Sequence, residues 1–531
     1  MVNPVRHIYI AFVLLLQLPI SLFAQLDFTS SNLPIIIIET NGQEIIDENR
    51  IIAHMGIINN NSGQDNQVSD PFNDYSGNIN IEIRGSTSQS FPKKSYGFET
   101  QNDDSENRNV PLLGLPEEND WVLYAPYSDK SLVRNILSYK LSRDLGHYAP
   151  RTKLCELVLN GEYRGVYVLT EKIKRDKNRV DIAKLNADEI SGDDLSGGYI
   201  IKIDKQTGDS GPSWRSELGD LYFQYEYPKH DDIVAEQKEY IKNYIGDFEQ
   251  ALISEDYTDL DNGYRKYIND SSFVDFFIVN ELAKNIDGYI LSTFLYKDKD
   301  SNKGKLNMGP IWDFNLAFGN ANYRDGFLTT GFQVDVNANT LWWDRLLQDT
   351  SFKSDINNRW CAIREKQFSN ESIVAVIDSL ALILEAPQMR NFERWDVMGR
   401  IVWPNYYVSK SFSDEINYLT KWTLNRLHWL DDSLYCGNSI DNDPVNYKTK
   451  AYPNPFSDFL YYDFSLTRPG DVSLLLYDIN GKHISSIVND RYYQAGKHTI
   501  DWNSSELAGS VYILILSLDG EIVSRKRLVK L

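Results

Sequence analysis

Two aspartates separated by a helix-to-hairpin stretch of chain are the residues of this sequence best suited to do chemistry. Asp287 sits in Asn285-Ile286-Asp287-Gly288 and Asp313 in Trp312-Asp313-Phe314-Asn315. Phosphoryl transfer needs one carboxylate to orient the attacking hydroxyl and a second, beyond it, to keep a divalent cation on the phosphates. Two carboxylates brought together repel, and a cation between them removes that cost. Mg²⁺ suits such a place, because it takes one or two carboxylates and completes its shell with phosphate oxygens and water. On this reading Asp287 orients the hydroxyl, Asp313 and Asp287 face the metal, and Asn285 and Asn315 supply neutral oxygens. Either aspartate taken singly is equally suited to a turn or a strand end.

The neighbouring pattern supplies a way to bring the two together. Phe273, Phe276, Phe277, Ile278 and Leu282 put an apolar face on a helix expected over 272–284. Residues 285–288 then leave its end as a loop on a rigid support. Residues 289–296 read as a strand, 298–304 as a turn and 306–311 as the return strand, which delivers Asp313 beside Asp287.

Upstream, short β-like runs alternate with turns, at 34–39, 79–84, 95–99, 121–125, 154–159, 165–171 and 198–203. Asn160-Gly161 marks a hairpin turn. One helix interrupts them, starting near Asp129 and carrying Leu132, Ile136, Leu137, Tyr139 and Leu141 at helical spacing. After Pro228 the texture is helical, at 233–253, 272–284, 373–385 and 413–429. A β-rich half followed by a helical half predicts an α+β, two-lobed domain.

The β-rich half offers partners for phosphate. Arg84-Gly85-Ser86-Thr87-Ser88 follows a strand and combines a cation, a flexible glycine and hydroxyls, although it is neither a Walker loop nor a GxGxxG. Lys93, Lys94, Lys172 and Lys174 are available to neutralise phosphate, and Glu171 stands at a strand end where it could orient a lysine.

These stretches together resemble the CotH family of atypical protein kinases, first known from spore coats. The matching motifs are IEIRGSTSQSFPKKSYGFE at 81–99, NDWVLYAPYSDKSLVRN at 119–135, GEYRGVYVLTEKI at 161–173, GGYIIKID at 197–204 and the stretch 276–319 with WDFNLAFG. They occur in the family's order, and the likeness covers about 33–429. It implies a divergent two-lobed kinase-like fold that binds ATP with Mg²⁺, or Mn²⁺ in its place, and phosphorylates serine or threonine of a protein acceptor. Carried over by motif, Asp287 is the catalytic aspartate and Asp313 the metal-binding one. Arg84, Gly85, Ser86 and Arg134-Asn135 fall on the nucleotide-binding face, with Glu171 beside it, Lys94 as the preferred phosphate lysine and Lys172 in reserve. Asn315 departs from the family's WDxD by replacing a second acid, which removes one charge from the metal site.

The C-terminal stretch has a separate resemblance. Tyr452-Pro453-Asn454-Pro455-Phe456, LLLYDINGK, GSVYIL at 509–514 and Arg525-Lys526-Arg527-Leu528 are similar to the sorting domains of the type IX secretion system. Strands are expected at 459–466, 472–477, 498–502 and 511–517, with turns at Asn480-Gly481 and Asp519-Gly520, as in a small immunoglobulin-like β-sandwich. The resemblance implies passage across the outer membrane by that machinery, then release or attachment at the cell surface. The expected division is a signal peptide over 1–24, a kinase-like domain over 28–435, a polar linker over 436–450 and the sorting sandwich over 451–531.

Composition narrows the alternatives. A net charge of -21 in 531 residues repels nucleic acid and anionic lipid. Arg6 and His7 precede an apolar run over 8–23 that closes on Ala24-Gln25, the pattern of a secretory signal, and no later run is apolar enough to span a bilayer. Cys155, Cys361 and Cys436 are too scattered for a zinc site and read mostly as small buried apolar residues, with their pairing open; the seven histidines show no metal-ligand spacing. Gly-Asp-Ser-Gly-Pro at 208–212, with His54 upstream, imitates a serine-protease motif, but the helical second half contradicts that fold. The serious rival is a surface binding or adhesion protein on a kinase scaffold that has lost catalysis, since free ATP is scarce outside the cell. Transfer to a small molecule or glycan also stays open.

Overall fold

The structure is a computed structural model, and it describes residues 28–60, 63–206, 211, 213–219, 221–337, 341–434, 449–466, 469–478 and 482–531. The expected signal peptide, most of the linker, Cys436, Ser210 and the turn at Asn480-Gly481 lie outside the described residues. The chain divides into two compact units, Met1–Cys436 and Gly437–Leu531. Helix and sheet are mixed in the first, and the second is all β.

Seven strands of the first unit close a barrel: β1 Ile35–Glu39, β2 Ile51–Ile58, β3 Tyr75–Arg84, β4 Ser95–Gln101, β5 Asp120–Tyr124, β6 Thr152–Leu159 and β7 Glu162–Glu171, in the order β1-β2-β3-β4-β5-β7-β6. The closing pair, β1 and β6, is parallel, with Ile35 opposite Glu156. Alternate residues such as Ile36 and Ile38, Ile79 and Ile81, or Cys155 and Leu157 fill the interior, as the two-residue period of a strand requires. Asn160 and Gly161 turn β6 into β7 with φ of 51° and 73°, the left-handed backbone that a two-residue hairpin needs. The strand β2 was not anticipated, because Ile-Ile-Ala-His-Met-Gly-Ile-Ile lacks a clean alternation.

A second sheet comprises β8 Tyr199–Ile203, β9 Ser213–Arg215, β10 Tyr222–Tyr227, β11 Thr293–Lys297 and β12 Asn307–Met308, in the order β9-β10-β8-β11-β12. The hairpin expected between the two aspartates is therefore shorter than its sequence suggested. Tyr289 and Ser292 have φ of 73° and 48°, which no strand accommodates, and Pro310 has no N–H to continue a ladder beyond Met308.

The main helices are α1 Arg134–Asp144, α2 Ala235–Ile253, α3 Asp270–Ala283, α4 Thr350–Arg364, α5 Asn370–Ile383, α6 Pro387–Arg394 and α7 Phe412–Ser433. α1 begins later than expected, because the Asp129 carboxylate accepts from the N–H groups of Ser131 at 3.1 Å and Arg134 at 2.9 Å and holds 129–133 as a turn. α3 is buried from Ser272 to Ala283, which makes it a core helix rather than an amphipathic one. Cys155 is a free, buried thiol, whereas Cys361 is disulfide-bonded. Among the described residues no single helix is long and apolar enough to cross a membrane.

In the second unit β13 Lys450–Tyr452, β14 Phe459–Leu466 and β17 Gly496–Asn503 form one sheet. β15 Gly470–Asp478, β16 His483–Tyr493, β18 Ser510–Leu518 and β19 Glu521–Lys530 form the other. Leu460, Tyr462 and Phe464 of the first share an apolar core with Val472, Leu474 and Leu514 of the second, giving the expected sandwich.

Two buried charge clusters tie the helices together. Arg134 pairs with Asp129 at 2.7 Å and Glu415 at 2.8 Å. Arg426 of α7 pairs with Glu281 of α3 at 3.1 Å, both side chains without solvent exposure. Glu281 also accepts from the N–H groups of Gln333 at 2.6 Å and Val334 at 2.9 Å, so the end of α3 is fixed from three directions. Removing one partner of such a pair strands the other charge. Arg426→Ala is expected to cost roughly 3–5 kcal/mol, seen as a lower urea midpoint in equilibrium denaturation.

Candidate active site

A cleft of about 540 Å³ runs through the first unit. The barrel contributes Arg84, Gly85, Ser86 and Lys172, the second sheet Lys202 and Asp204, and the stretches after α3 and β12 contribute Asp287, Asp313 and Asn315.

Asp313 is held in place by α1. Its N–H donates to the Tyr139 hydroxyl at 3.3 Å, and the N–H of Phe314 donates to Asn135 Oδ1 at 2.7 Å. The backbone at Asp313 is left-handed, φ 63°, a conformation that survives in a non-glycine residue only where its surroundings enforce it. Trp312 stacks on Tyr139 at 6.1 Å between ring centres and carries the Arg84 guanidinium 5.4 Å above its own. Residues at two positions of one helix thus aim the carboxylate.

Asp287 follows the left-handed end of α3 at Lys284, φ 47°. Asn285 is buried and folds the loop: its backbone N–H donates to the Asn280 carbonyl at 3.1 Å, and its Oδ1 accepts from the Asp287 N–H at 3.4 Å. Gly288 permits the turn, since a Cβ there would stand 2.5 Å from Asn280 Oδ1. Arg324 Nη1 lies 3.9 Å from Asp287 Oδ1.

Burial, followed by the charges of Asp287 and Asp204, pushes the Asp313 carboxyl up to about 7, against the pull of Arg84 and Lys205. Asp287 is also raised, first by burial, then by Asp204, with Arg324 opposing. The carboxylates therefore repel, as a pair without a counter-ion must. Among the described residues no group of three or more His, Cys, Asp or Glu side chains could hold a metal by itself. Two carboxylates with room for phosphate oxygens fit Mg²⁺ better than they fit a protein-caged metal. Asn315 lines the cleft, its side chain hydrogen-bonded to the Tyr124 hydroxyl.

Eight of the sequence-derived site residues meet in this cleft: Arg84, Gly85, Ser86, Asn135, Lys172, Asp287, Asp313 and Asn315. Four lie elsewhere. Lys94 donates to the Gln89 carbonyl, and Arg134 is enclosed by Asp129 and Glu415. Glu171 is buried and pairs with Arg151 at 2.8 Å, while Asn285 sits behind the Asp287 loop. Of the lysines weighed for phosphate in the sequence, Lys172 lines the cleft, and its carboxylate partner is Asp120 of β5 at 3.0 Å, not Glu171. Lys93 is buried against the Val166 carbonyl at 2.6 Å, and Lys174 pairs with Glu118 at 3.0 Å. Asp204, Lys202 and Tyr139 were overlooked, although Asp204 closes the Gly-Gly-Tyr-Ile-Ile-Lys-Ile-Asp stretch that had already been singled out.

Residues 81–430 match the family model described as CotH kinase protein. The chain belongs to the CotH kinase protein family. Residues 450–530 match the model of a secretion system C-terminal sorting domain. No curated protein matches the chain. Every cleft residue named above falls inside the CotH match, and the β-sandwich coincides with the sorting match. A tail of this type IX class addresses the chain to the secretion machinery for export across the outer membrane.

The raised Asp313 has a measurable consequence. Its folded value lies above the ordinary carboxylate value of 3.8, so the fold favours the protonated form. Stability is fullest below that ordinary value and is lost as pH climbs towards 7, by at most ~4 kcal/mol at about 1.4 kcal/mol per pH unit. Asp313→Asn is expected to raise the melting temperature at pH 8 in the presence of a chelator and to leave it unchanged at pH 4, as thermal scans would show.

Proposed function

We propose that the first unit is a divergent two-lobed kinase domain that transfers the γ-phosphate of ATP to serine or threonine of a protein acceptor. The observation that carries this reading is the distribution of charge in the cleft: two mutually repelling carboxylates from the helical side face Arg84 and Lys172 from the barrel. A metal-bound triphosphate is the ligand that satisfies both walls at once. Lys172, steadied by Asp120, and Arg84 bind phosphate oxygens, and the Gly85-Ser86 turn offers backbone and hydroxyl donors. Asp313 and Asp287 would hold Mg²⁺ or Mn²⁺, with Asn315 as a neutral neighbour. When bound, the cation supplies charge neutralisation on the transferring phosphoryl group. Asp287 orients the acceptor hydroxyl and accepts its proton as that oxygen bonds to the γ-phosphorus, while the bond from the γ-phosphorus to the β–γ bridging oxygen breaks and ADP leaves with its electron pair. After export, the sorting tail leaves the protein released or attached at the cell surface.

One observation favours a second reading. Asn315 gives the cleft a neutral amide two residues after Asp313 where the WDxD pattern of the resemblance implies an acid, which lowers the charge holding the cation, and a surface binding protein on the same scaffold is the form that tolerates that loss.

Transfer from labelled ATP to the protein itself and to a generic acceptor, with Mg²⁺ or Mn²⁺, separates the two. Wild type is expected to transfer phosphate, and Asp287→Ala and Asp313→Ala to be slower by about 10³-fold, within the range that positioned acids and bases contribute. Absence of transfer, together with a melting temperature indifferent to ATP and divalent cation, would leave the binding protein as the better description.

A further inference from the structure

The two ends of the cleft differ in chemistry. At one end Arg84, Lys172 and Lys202 lead into a polar groove of about 750 Å³ that also takes in Asp204 and Glu226 but neither Asp287 nor Asp313. At the other end stand Tyr323, Trp403 and Pro404. Contacts order these groups across the cleft. The Arg84 guanidinium lies 5.4 Å from the ring of Trp312, the neighbour of Asp313. Arg324, the neighbour of Tyr323, lies 3.9 Å from Asp287, and Tyr323 stacks on Trp403. Arg84 thus stands on the Asp313 side and Tyr323 on the Asp287 side.

Trp403 is 56 % exposed, and Ile401 and Tyr406 on the same strap are 78 % and 50 % exposed. Large apolar side chains gathered in water beside a reacting group mark a contact surface. The strap itself is firmly held. Lys130 donates to the Arg400 carbonyl at 2.6 Å, the Asn322 N–H to the Pro404 carbonyl at 2.9 Å, Asn405 Nδ2 to the Ser128 carbonyl at 2.7 Å and the Tyr406 N–H to the Asn320 carbonyl at 2.8 Å. Trp403 lies parallel to Tyr323, 6.0 Å between ring centres and 5° between planes. A ring fixed in advance gives up little freedom when a ligand arrives.

We infer that Trp403 and Tyr323 are the acceptor platform, binding the side chain next to the hydroxyl-bearing residue of a polypeptide and selecting an aromatic or large aliphatic group there. The assignment rests on the phosphoryl-transfer reading. Arg324, exposed and 3.9 Å from Asp287, favours an acidic segment over a basic one. A nucleotide base is the other flat group that would stack on Trp403. With its phosphates at Arg84, however, such a nucleotide would lie across Asp287 and cover the carboxylate that must meet the acceptor.

The test uses the full chain and two acidic heptapeptides with one serine, identical except for Phe or Gly after it. Transfer gives KM, and the anisotropy of fluorescein-labelled peptides gives binding independently of catalysis. Wild type is expected to show a KM about tenfold lower for the Phe peptide. Trp403→Ala should lose that preference with KM for ATP and melting temperature unchanged, and Trp403→Phe should keep most of it. Equal binding of the two peptides to wild type would overturn the assignment, whether or not phosphate is transferred. So would a raised KM for ATP in Trp403→Ala, which would give the ring to the base. Ring-dependent peptide binding without any transfer would instead keep the platform and remove the kinase reading.

Discussion

The repulsion between Asp287 and Asp313 is the constraint around which the first unit is built. Neither carboxylate would settle beside the other in a half-buried cleft unless its backbone left no choice, and the surrounding elements remove that choice. Asn135 and Tyr139 hold the amides at Asp313 and Phe314, and Asn285 with Gly288 folds the Asp287 loop on the end of α3. The left-handed backbone at Asp313 and Lys284 is part of the same enforcement. Strain and like-charge proximity concentrated at one place, with well-satisfied structure around it, is the pattern of a site kept for binding rather than for stability.

The buried ion pairs are intelligible as the means of enforcement. Arg426 with Glu281, and Arg134 with Asp129 and Glu415, lose much of their attraction to desolvation and are weak evidence of net stability. Their geometry is what matters locally. Arg134 is the first residue of α1, the helix that aims Asp313, and Glu281 is three residues before the Lys284 cap from which the Asp287 loop departs. Each anchor thus fixes the helix end nearest to the carboxylate it serves.

Much of this was legible in the sequence, and the failures have physical causes. Asp287 and Asp313 were legible because an apolar helix, a loop and a turn between two short strands bring their ends together whatever the detail of the strands. Gly85, Ser86 and Arg84 were legible because they follow a strand end. Lys94 and Glu171 were misplaced because neighbours along an extended chain face opposite ways: Lys93 turns inwards, Glu171 goes to Arg151, and Lys172 reaches the cleft. Arg134 resembled a phosphate ligand until its partner Glu415, 281 positions away, was in view. No local pattern announces a pairing at that separation. Asp120 was hidden for the same reason, since β5 meets the end of β7 only once the barrel closes.

Two separate apolar cores lie on either side of the cleft. Ile81 of β3 and Leu169 of β7 belong to the core inside the barrel, while Phe314, Leu282 and Leu137 belong to the core among the helices. Arg84 and Lys172 therefore stand beside the barrel core and Asp287 and Asp313 beside the core among the helices, on two walls of a cleft within one compact unit. A ligand that joins the two walls removes the carboxylate repulsion only when it reaches both. A ligand bearing phosphate without a cation satisfies the barrel wall and worsens the opposite one. A cation without phosphate does the reverse, leaving Arg84 and Lys172 with no new partner. On the proposed reading the cleft suits the pair together, because Arg84 and Lys172 stand on one wall and Asp287 and Asp313 on the other.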